Sequence, residues 1–344
     1  MNIKQYFLLA FLVYIFAYVL TLGLRRYAIS QRLIDIPNER SSHDRPTPRG
    51  GGLSISVAVI SSMLVYFMIV ESTREFTFAL VGGGALVTAI GWIDDHKSSS
   101  PLIRIIAYTI AAVWAVYWLN NVKWFALGTT YSLRELTLGC LSVIWTVWLI
   151  NLYNFMDGSD ALAAMEAISV ALFGVAFFYF SGQQQLLILC IVLVFSSVGF
   201  LMWNWPPAKI FMGDVGSCLI GYTLAIISLY GQITGSVPLS VWAILMAVFI
   251  CDASYTLLYR IFTGEVWYAA HRSHAYQRLI QMGLSHKNLA LAVSGLNIFI
   301  LWPSAYIALS FSEYRIIILF SIYTLFGIFW YLIQARYQYK TKNT

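Results

Sequence analysis

The chain reads as an all-α, polytopic transmembrane helix bundle of about eleven helices, and three observations lead there. Of its 344 residues, 60% are hydrophobic and only 10% are charged, whereas a soluble domain carries about a quarter charged residues to wet its surface. Aromatic residues make up 16% of the chain, which suits the headgroup zone, where one edge of a ring is apolar and the other wet. Apolar stretches near the ~20 residues that cross a bilayer recur from one end to the other.

Taken in order, the first stretch runs from Tyr6 to Leu24 and is followed by Arg25 and Arg26, not by a small-x-small cleavage site. It reads as a retained helix, not as a secretory signal. Spans are expected at about 5–23, 52–70, 76–92, 102–120, 136–152, 161–181, 185–203, 218–232, 239–261, 289–310 and 315–334. The eighth is short, and is either tilted or extended through Asp214. No low-complexity tract, linker or soluble insert interrupts the pattern, so residues 1–344 form one domain.

Lysines and arginines set the orientation. With the N-terminus outside, sixteen of the 21 basic residues fall on the inner side, leaving Lys4, Arg74, Lys123, Arg134 and Arg315 outside. The expected topology is N-terminus periplasmic and C-terminus cytoplasmic. The net charge of +6 then follows from insertion and from anionic headgroups, and implies no nucleic-acid partner. Cys140, Cys190, Cys218 and Cys251 stand singly in apolar runs, which argues against a disulfide framework or a thiolate metal site and for small buried hydrophobes.

The inside loops hold nearly every polar residue that solubility does not explain. The first contains Asn38-Glu39-Arg40-Ser41-Ser42-His43-Asp44 and ends Arg45-Pro46-Thr47-Pro48-Arg49-Gly50-Gly51-Gly52. Its glycine amides beside Arg49 suit an anion at a helix start; a positive-inside loop with a glycine helix entry explains it as well. The third span ends in Asp94-Asp95, neighbouring acids at a helix C-terminus that a divalent cation or a cationic partner would compensate. Two solvated acids are the plainer alternative, although the helix dipole disfavours them there.

Asn151, Asn154 and Asp157 recur at three-residue steps, as do Asp157 and Asp160, one polar stripe if helical or a turn capped by Asn and Asp. Asp214 lies between glycines before an apolar helix, where an N-cap is the simplest role. The stretch His271-Arg272-Ser273-His274 carries no carboxylate or cysteine nearby, which favours phosphate contact over metal binding. Asp252, inside the ninth span, is either functional or half of a buried ion pair.

One membrane face thus gathers Asp94, Asp95, Asp157, Asp160 and Asp214 opposite Arg49, His271, Arg272 and His274. Carboxylate oxygens suit Mg²⁺ or Mn²⁺ bridging to substrate phosphates, and the basic groups suit a diphosphate. This is the kit of phosphoryl transfer, placed where one substrate is water-soluble and the other lipid-borne. A transporter or flippase of lipid-linked sugars is the alternative. Asp252 favours it; the lack of a motif repeat does not.

These five loops resemble the polyprenyl-phosphate N-acetylhexosamine-1-phosphate transferases over about residues 30 to 280, with the motifs in the family's order. The resemblance implies transfer of an N-acetylhexosamine 1-phosphate, a 6-deoxy sugar such as N-acetylfucosamine included, from a UDP-sugar to undecaprenyl phosphate in a bacterial inner membrane. It implies Mg²⁺ as cofactor, with Mn²⁺ as a substitute, and leaves a homodimer open. The site would form from the cytoplasmic loops 24–51, 93–101, 151–160, 204–217 and 262–288. On residues and resemblance together, Asp94, Asp95, Asp157, Asp160 and His274 are the catalytic candidates. Arg49, Asn151, Asn154, Asn204, His271 and Arg272 are the substrate-binding candidates, and Asp214 is the metal ligand. Two departures from the family pattern, Ala161 for a glycine and His-Arg-Ser-His for a triple histidine, point with the eleven spans to the branch that initiates O-antigen and lipopolysaccharide synthesis.

Overall fold

A computed structural model describes residues 2–37, 45–70, 73–119, 133–266, 268 and 271–342. Residues 38–44 of the first inside loop, Lys123 and Ala270 lie outside these. Helices dominate, because in hydrocarbon a backbone N–H or C=O finds no water and must be paired within its own segment.

The helices are α1 (Ile3–Ser30), α2 (Leu53–Val70), α3 (Arg74–His96), α4 (Pro101–Leu119), α5 (Leu133–Met156), α6 (Leu162–Ser181), α7 (Gln184–Asn204), α8 (Asp214–Ile233), α9 (Leu239–Leu245), α10 (Ala247–Phe262), α11 (Ala275–Gln281), α12 (His286–Leu296), α13 (Trp302–Ser310) and α14 (Arg315–Lys342). A π-helical turn, Asn297–Leu301, joins α12 to α13 in one span. The only strands among the described residues are Ile34–Asp35 and Thr47–Pro48, paired antiparallel.

Ten helices are long and apolar enough to cross a membrane, and α9 with α10 makes an eleventh that is bent by 82°. The single ninth span expected over 239–261 is therefore broken at Met246. Length and apolarity are the same in a straight and a bent segment, so composition does not register the bend. The eighth span does extend to Asp214, and α1 continues past Arg25 and Arg26 to Ser30.

Helix α8 is the axis of the bundle. Sixteen of its 20 residues are buried, and α3 and α5 pack along it. Hydrogen bonds cross that seam: Tyr222 donates to the Ala79 carbonyl at 2.6 Å and Trp145 to Ser228 at 2.9 Å. Helix α14 lies at the rim against α9, α10, α11 and α13. Cys190, Cys218 and Cys251 are buried as expected, whereas Cys140 is exposed on α5. The end of α3, the start of α4, the end of α5 and the start of α8 meet at one end of the bundle.

Candidate active site

Successive residues of a helix point about 100° apart, so Asp94 and Asp95 diverge and do different things. Asp95, only 3% exposed, accepts the backbone N–H groups of Asp214 at 3.1 Å and Val215 at 3.2 Å. It caps α8 from another helix, because the first amides of a helix have no intrahelical partner and favour a negative charge. Asp214 is consequently the first residue of α8 and not its N-cap, which is Gly213.

Asp94 accepts the Ser99 N–H at 2.6 Å. Arg104 then bridges two acids, with Nη1 3.3 Å from Asp94 and 3.1 Å from Asp214. The compensation foreseen for the acid pair is thus divided between backbone amides for one and an arginine for the other. Close approach makes this possible. Gly213 adopts a φ of +76°, and a Cβ there would stand 2.5 Å from Asp95 Oδ2; a Cβ on Gly91 would stand 2.7 Å from the Asp214 carbonyl.

The second arm is the end of α5. Asn154 donates to Ser217 at 3.4 Å and reaches the Asp214 carboxylate. Asn151 instead donates to the Val147 carbonyl of its own helix at 2.7 Å. The stripe breaks after Asn154, because α5 stops at Met156 and Asp157 lies in the loop. Loss of solvent, followed by the charges of Asp214, Asp95 and Asp160, pushes the Asp157 carboxyl well above the usual carboxylate range, partly relieved by the Gly213 N–H.

Asp160 and Asn204 stitch loops together. Asp160 accepts the Ala208 N–H at 2.9 Å, and His286 Nδ1 lies 3.0 Å from Ser159 Oγ and 3.2 Å from the Asp160 amide. Asn204, 4% exposed, accepts the Ala161 N–H at 2.8 Å and donates to the Ile210 carbonyl at 3.0 Å. Ala161, where the resemblance expects glycine, has a φ of +64°, a left-handed conformation that glycine adopts without strain.

Two of the three glycine amides of the first loop are engaged by backbone and do not form the expected anion cradle. Gly51 and Gly52 donate to the carbonyls of Phe211 and Met212, both at 2.9 Å, and Phe211 donates back to Pro48 at 2.8 Å. These two donors face another stretch of backbone and not a ligand. Arg49 stands close enough to Asp95 for its charge to act on that carboxyl.

His271, Arg272 and His274 form a separate group. His271 Nδ1 lies 2.8 Å from Ser273 Oγ, and its ring centroid is 4.9 Å from that of His274. Burial, then the charges of His274, Arg260 and Arg278, lower the His271 pKa to about 4, so the imidazole is neutral near pH 7. The group borders the aspartate loop: His274 stacks on Phe155 with centroids 6.2 Å apart, and Tyr276 donates to the Phe155 carbonyl at 2.9 Å. The Arg272 carbonyl accepts from Gln281 at 3.1 Å.

Asp252 binds the backbone amides of Ala275 and Tyr276, and Arg260 pairs with Glu265 at 2.6 Å. Sequence reasoning missed Arg104 and His286 as parts of the site, and offered Asp252 as either functional or half of a buried ion pair without placing it beside the histidines. Arg104 was counted only toward topology, although a lone arginine in the first turn of an apolar helix beside two acids was the available signal.

Residues 77–232 match glycosyl transferase family 4. A probable undecaprenyl-phosphate N-acetylglucosaminyl 1-phosphate transferase of Bacillus subtilis is 30% identical over 282 residues, 80% of this chain and 77% of the relative. The decaprenyl-phosphate N-acetylglucosaminephosphotransferase of Mycolicibacterium smegmatis is 32% identical over 311 residues, 81% and 76% of the two chains. A phospho-N-acetylmuramoyl-pentapeptide-transferase of Listeria monocytogenes is 32% identical over 199 residues, 53% and 60% of the two. With its multi-pass helical bundle and with identity extending well past the matched segment, the chain belongs to glycosyl transferase family 4.

Proposed function

We propose that the protein transfers an N-acetylhexosamine 1-phosphate from a UDP-sugar to undecaprenyl phosphate, releasing UMP, on the cytoplasmic face of a bacterial inner membrane. The observation that carries this reading is the meeting of Asp94, Asp95, Asp157 and Asp214 with Arg104 at one end of a lipid-embedded bundle. The excess of lysine and arginine in the loops at that end supports the cytoplasmic placement. The names of the Bacillus and Mycolicibacterium relatives make N-acetylglucosamine the first donor to test, with 6-deoxy sugars such as N-acetylfucosamine next. The product would begin an O-antigen or a related glycan.

In the proposed reaction an oxygen of the lipid phosphate attacks the β-phosphorus of the donor. The bond from that phosphorus to the bridging oxygen breaks, and UMP leaves with the oxygen and its electron pair. Asp94 and Asp95 orient or deprotonate the lipid phosphate, while Asn154, Asp157 and Asp160 shape the donor side. Arg49, His271, Arg272 and His274 meet the diphosphate, and Arg104 neutralises charge beside it.

Among the described residues no three His, Cys, Asp or Glu side chains close around one point. That suits Mg²⁺, which takes one or two carboxylates, substrate phosphates and waters. The all-oxygen donors and the excess negative charge felt by Asp157 fit such an ion, with Asp214 as its ligand and Mn²⁺ as a substitute. When bound, it would supply positive charge to phosphate oxygens.

The test is UMP release by the purified protein given undecaprenyl phosphate, Mg²⁺ and a panel of UDP-N-acetyl sugars. Release that needs the lipid, the metal and one sugar is the expected result. No release from any donor by the folded protein would overturn the reading.

A further inference from the structure

The short helix α11 starts immediately after His274; its own Gln277 accepts the His274 N–H at 3.4 Å, and the shorter bonds that hold its start come from elsewhere in the chain. Asp252, on α10 and 7% exposed, accepts the N–H of Ala275 at 2.7 Å and of Tyr276 at 3.0 Å. Its Oδ1 also lies 3.6 Å from His274 Nδ1 and accepts from Thr256 at 3.2 Å. Thr256 in turn accepts from Trp330 of α14 at 3.0 Å, and Gln334 of α14 donates to the Ser273 carbonyl at 2.7 Å. On its opposite side α11 is tied to the aspartate loop by Tyr276, which donates to Phe155, two residues before Asp157.

We propose that Asp252 is a positioning residue: by capping α11 and standing against His274, it sets where the 271–274 histidines lie relative to the 154–160 loop. The proposal rests on the transferase reading above and adds how one half of its site is held. The bend between α9 and α10 has a use on this account, since α10 carries the carboxylate to the loop. The physical reason is direct. Removing the carboxylate strands two buried N–H groups, each costly to leave unpaired, and leaves the loop held by the weaker ties of Gln277 to the His274 N–H and Gln334 to the Ser273 carbonyl. The cluster of Asp94, Asp95, Asp214 and Arg104 keeps all its own bonds. The effect should therefore fall on the diphosphate-bearing donor and spare the lipid acceptor.

The experiment compares the full-length wild type with Asp252→Ala and Gln334→Ala in detergent, by hydrogen–deuterium exchange and by steady-state kinetics. In Asp252→Ala, segment 271–281 should exchange faster while 94–104 and 213–217 do not change. The kcat/KM for the donor should fall about 10- to 100-fold, as displacing a positioned group by about 1 Å does, with KM for undecaprenyl phosphate within about twofold. Gln334→Ala should move both readouts the same way and less. Unchanged exchange in 271–281, unchanged donor kinetics, or an equal rise in both KM values would overturn the proposal. If Asp252→Ala does not fold, Asp252→Asn and Gln334→Ala carry the same comparison. Faster exchange in a protein whose wild type transfers no sugar would overturn the transferase reading and leave the placement by Asp252 standing.

Discussion

On the aspartate side of the candidate site the functional groups sit on long, packed helices and satisfy one another: Asp95 caps α8, and Arg104 joins Asp94 to Asp214. On the histidine side, His271 and His274 lie just before a seven-residue helix and are held by Asp252 and Gln334, which belong to α10 and α14. The first arrangement keeps charges at fixed separations, as stabilising charge in a transition state requires. The second is the part that, on the proposed function, would meet the diphosphate. The difference teaches that one half of the site is a rigid, mutually bonded charge cluster and the other a loop held from distant helices, and each can be disturbed separately.

The largest effect should come from the rigid half. Asp214→Asn is expected to lower turnover by at least ~10³-fold, about 4 kcal/mol in the barrier, measured as UMP release. An enzyme that kept its turnover would move the chemistry to the histidine side and break the contrast. Arg104→Ala follows, with a loss of ~10²-fold, because Asp94 and Asp214 would then face each other without a cation. If Arg104→Lys restored full activity, charge alone would suffice and the bridging geometry would not matter.

The seam between the halves should show in stability before activity. Asn204→Ala leaves the Ala161 N–H and the Ile210 carbonyl without their partner and should cost about 1–3 kcal/mol, read as a lowered thermal midpoint. Ala161→Gly relieves a left-handed residue and should stabilise by roughly 0.5–1 kcal/mol, the strain removed exceeding the flexibility added. The remaining effect, one on pH dependence, belongs to the histidine half. The folded His271 pKa, about 4, lies below its ordinary 6.5, so the unfolded chain binds the extra proton. Stability from the neutral ring is present above pH 6.5 and is lost as pH falls towards 4. The thermal midpoint of His271→Asn, relative to wild type, should therefore rise over that interval; a constant difference would show that His271 is not held neutral.

Much of this was legible without coordinates. Apolar runs of spanning length determine that the chain is a helical membrane bundle, since partition into lipid depends on length and polarity, and lipid leaves the backbone no other choice. The clustering of Asp94, Asp157, Asp160, Asp214 and the histidines in alternate loops likewise placed them at one end, because alternate loops of a bundle share a side. What each residue does there was not legible. Asp95 finds its partners 119 and 120 positions away, and Arg104 reaches Asp214 across 110. The expected polar stripe ended at Met156, two of the glycine amides went to Phe211 and Met212, and Asp252 turned out to hold the histidine loop. The sequence by itself determined which groups are available and on which end of the bundle. Only the tertiary structure decided which of them bind one another and which face a ligand, because those pairings depend on how distant helices pack, and no local period encodes that.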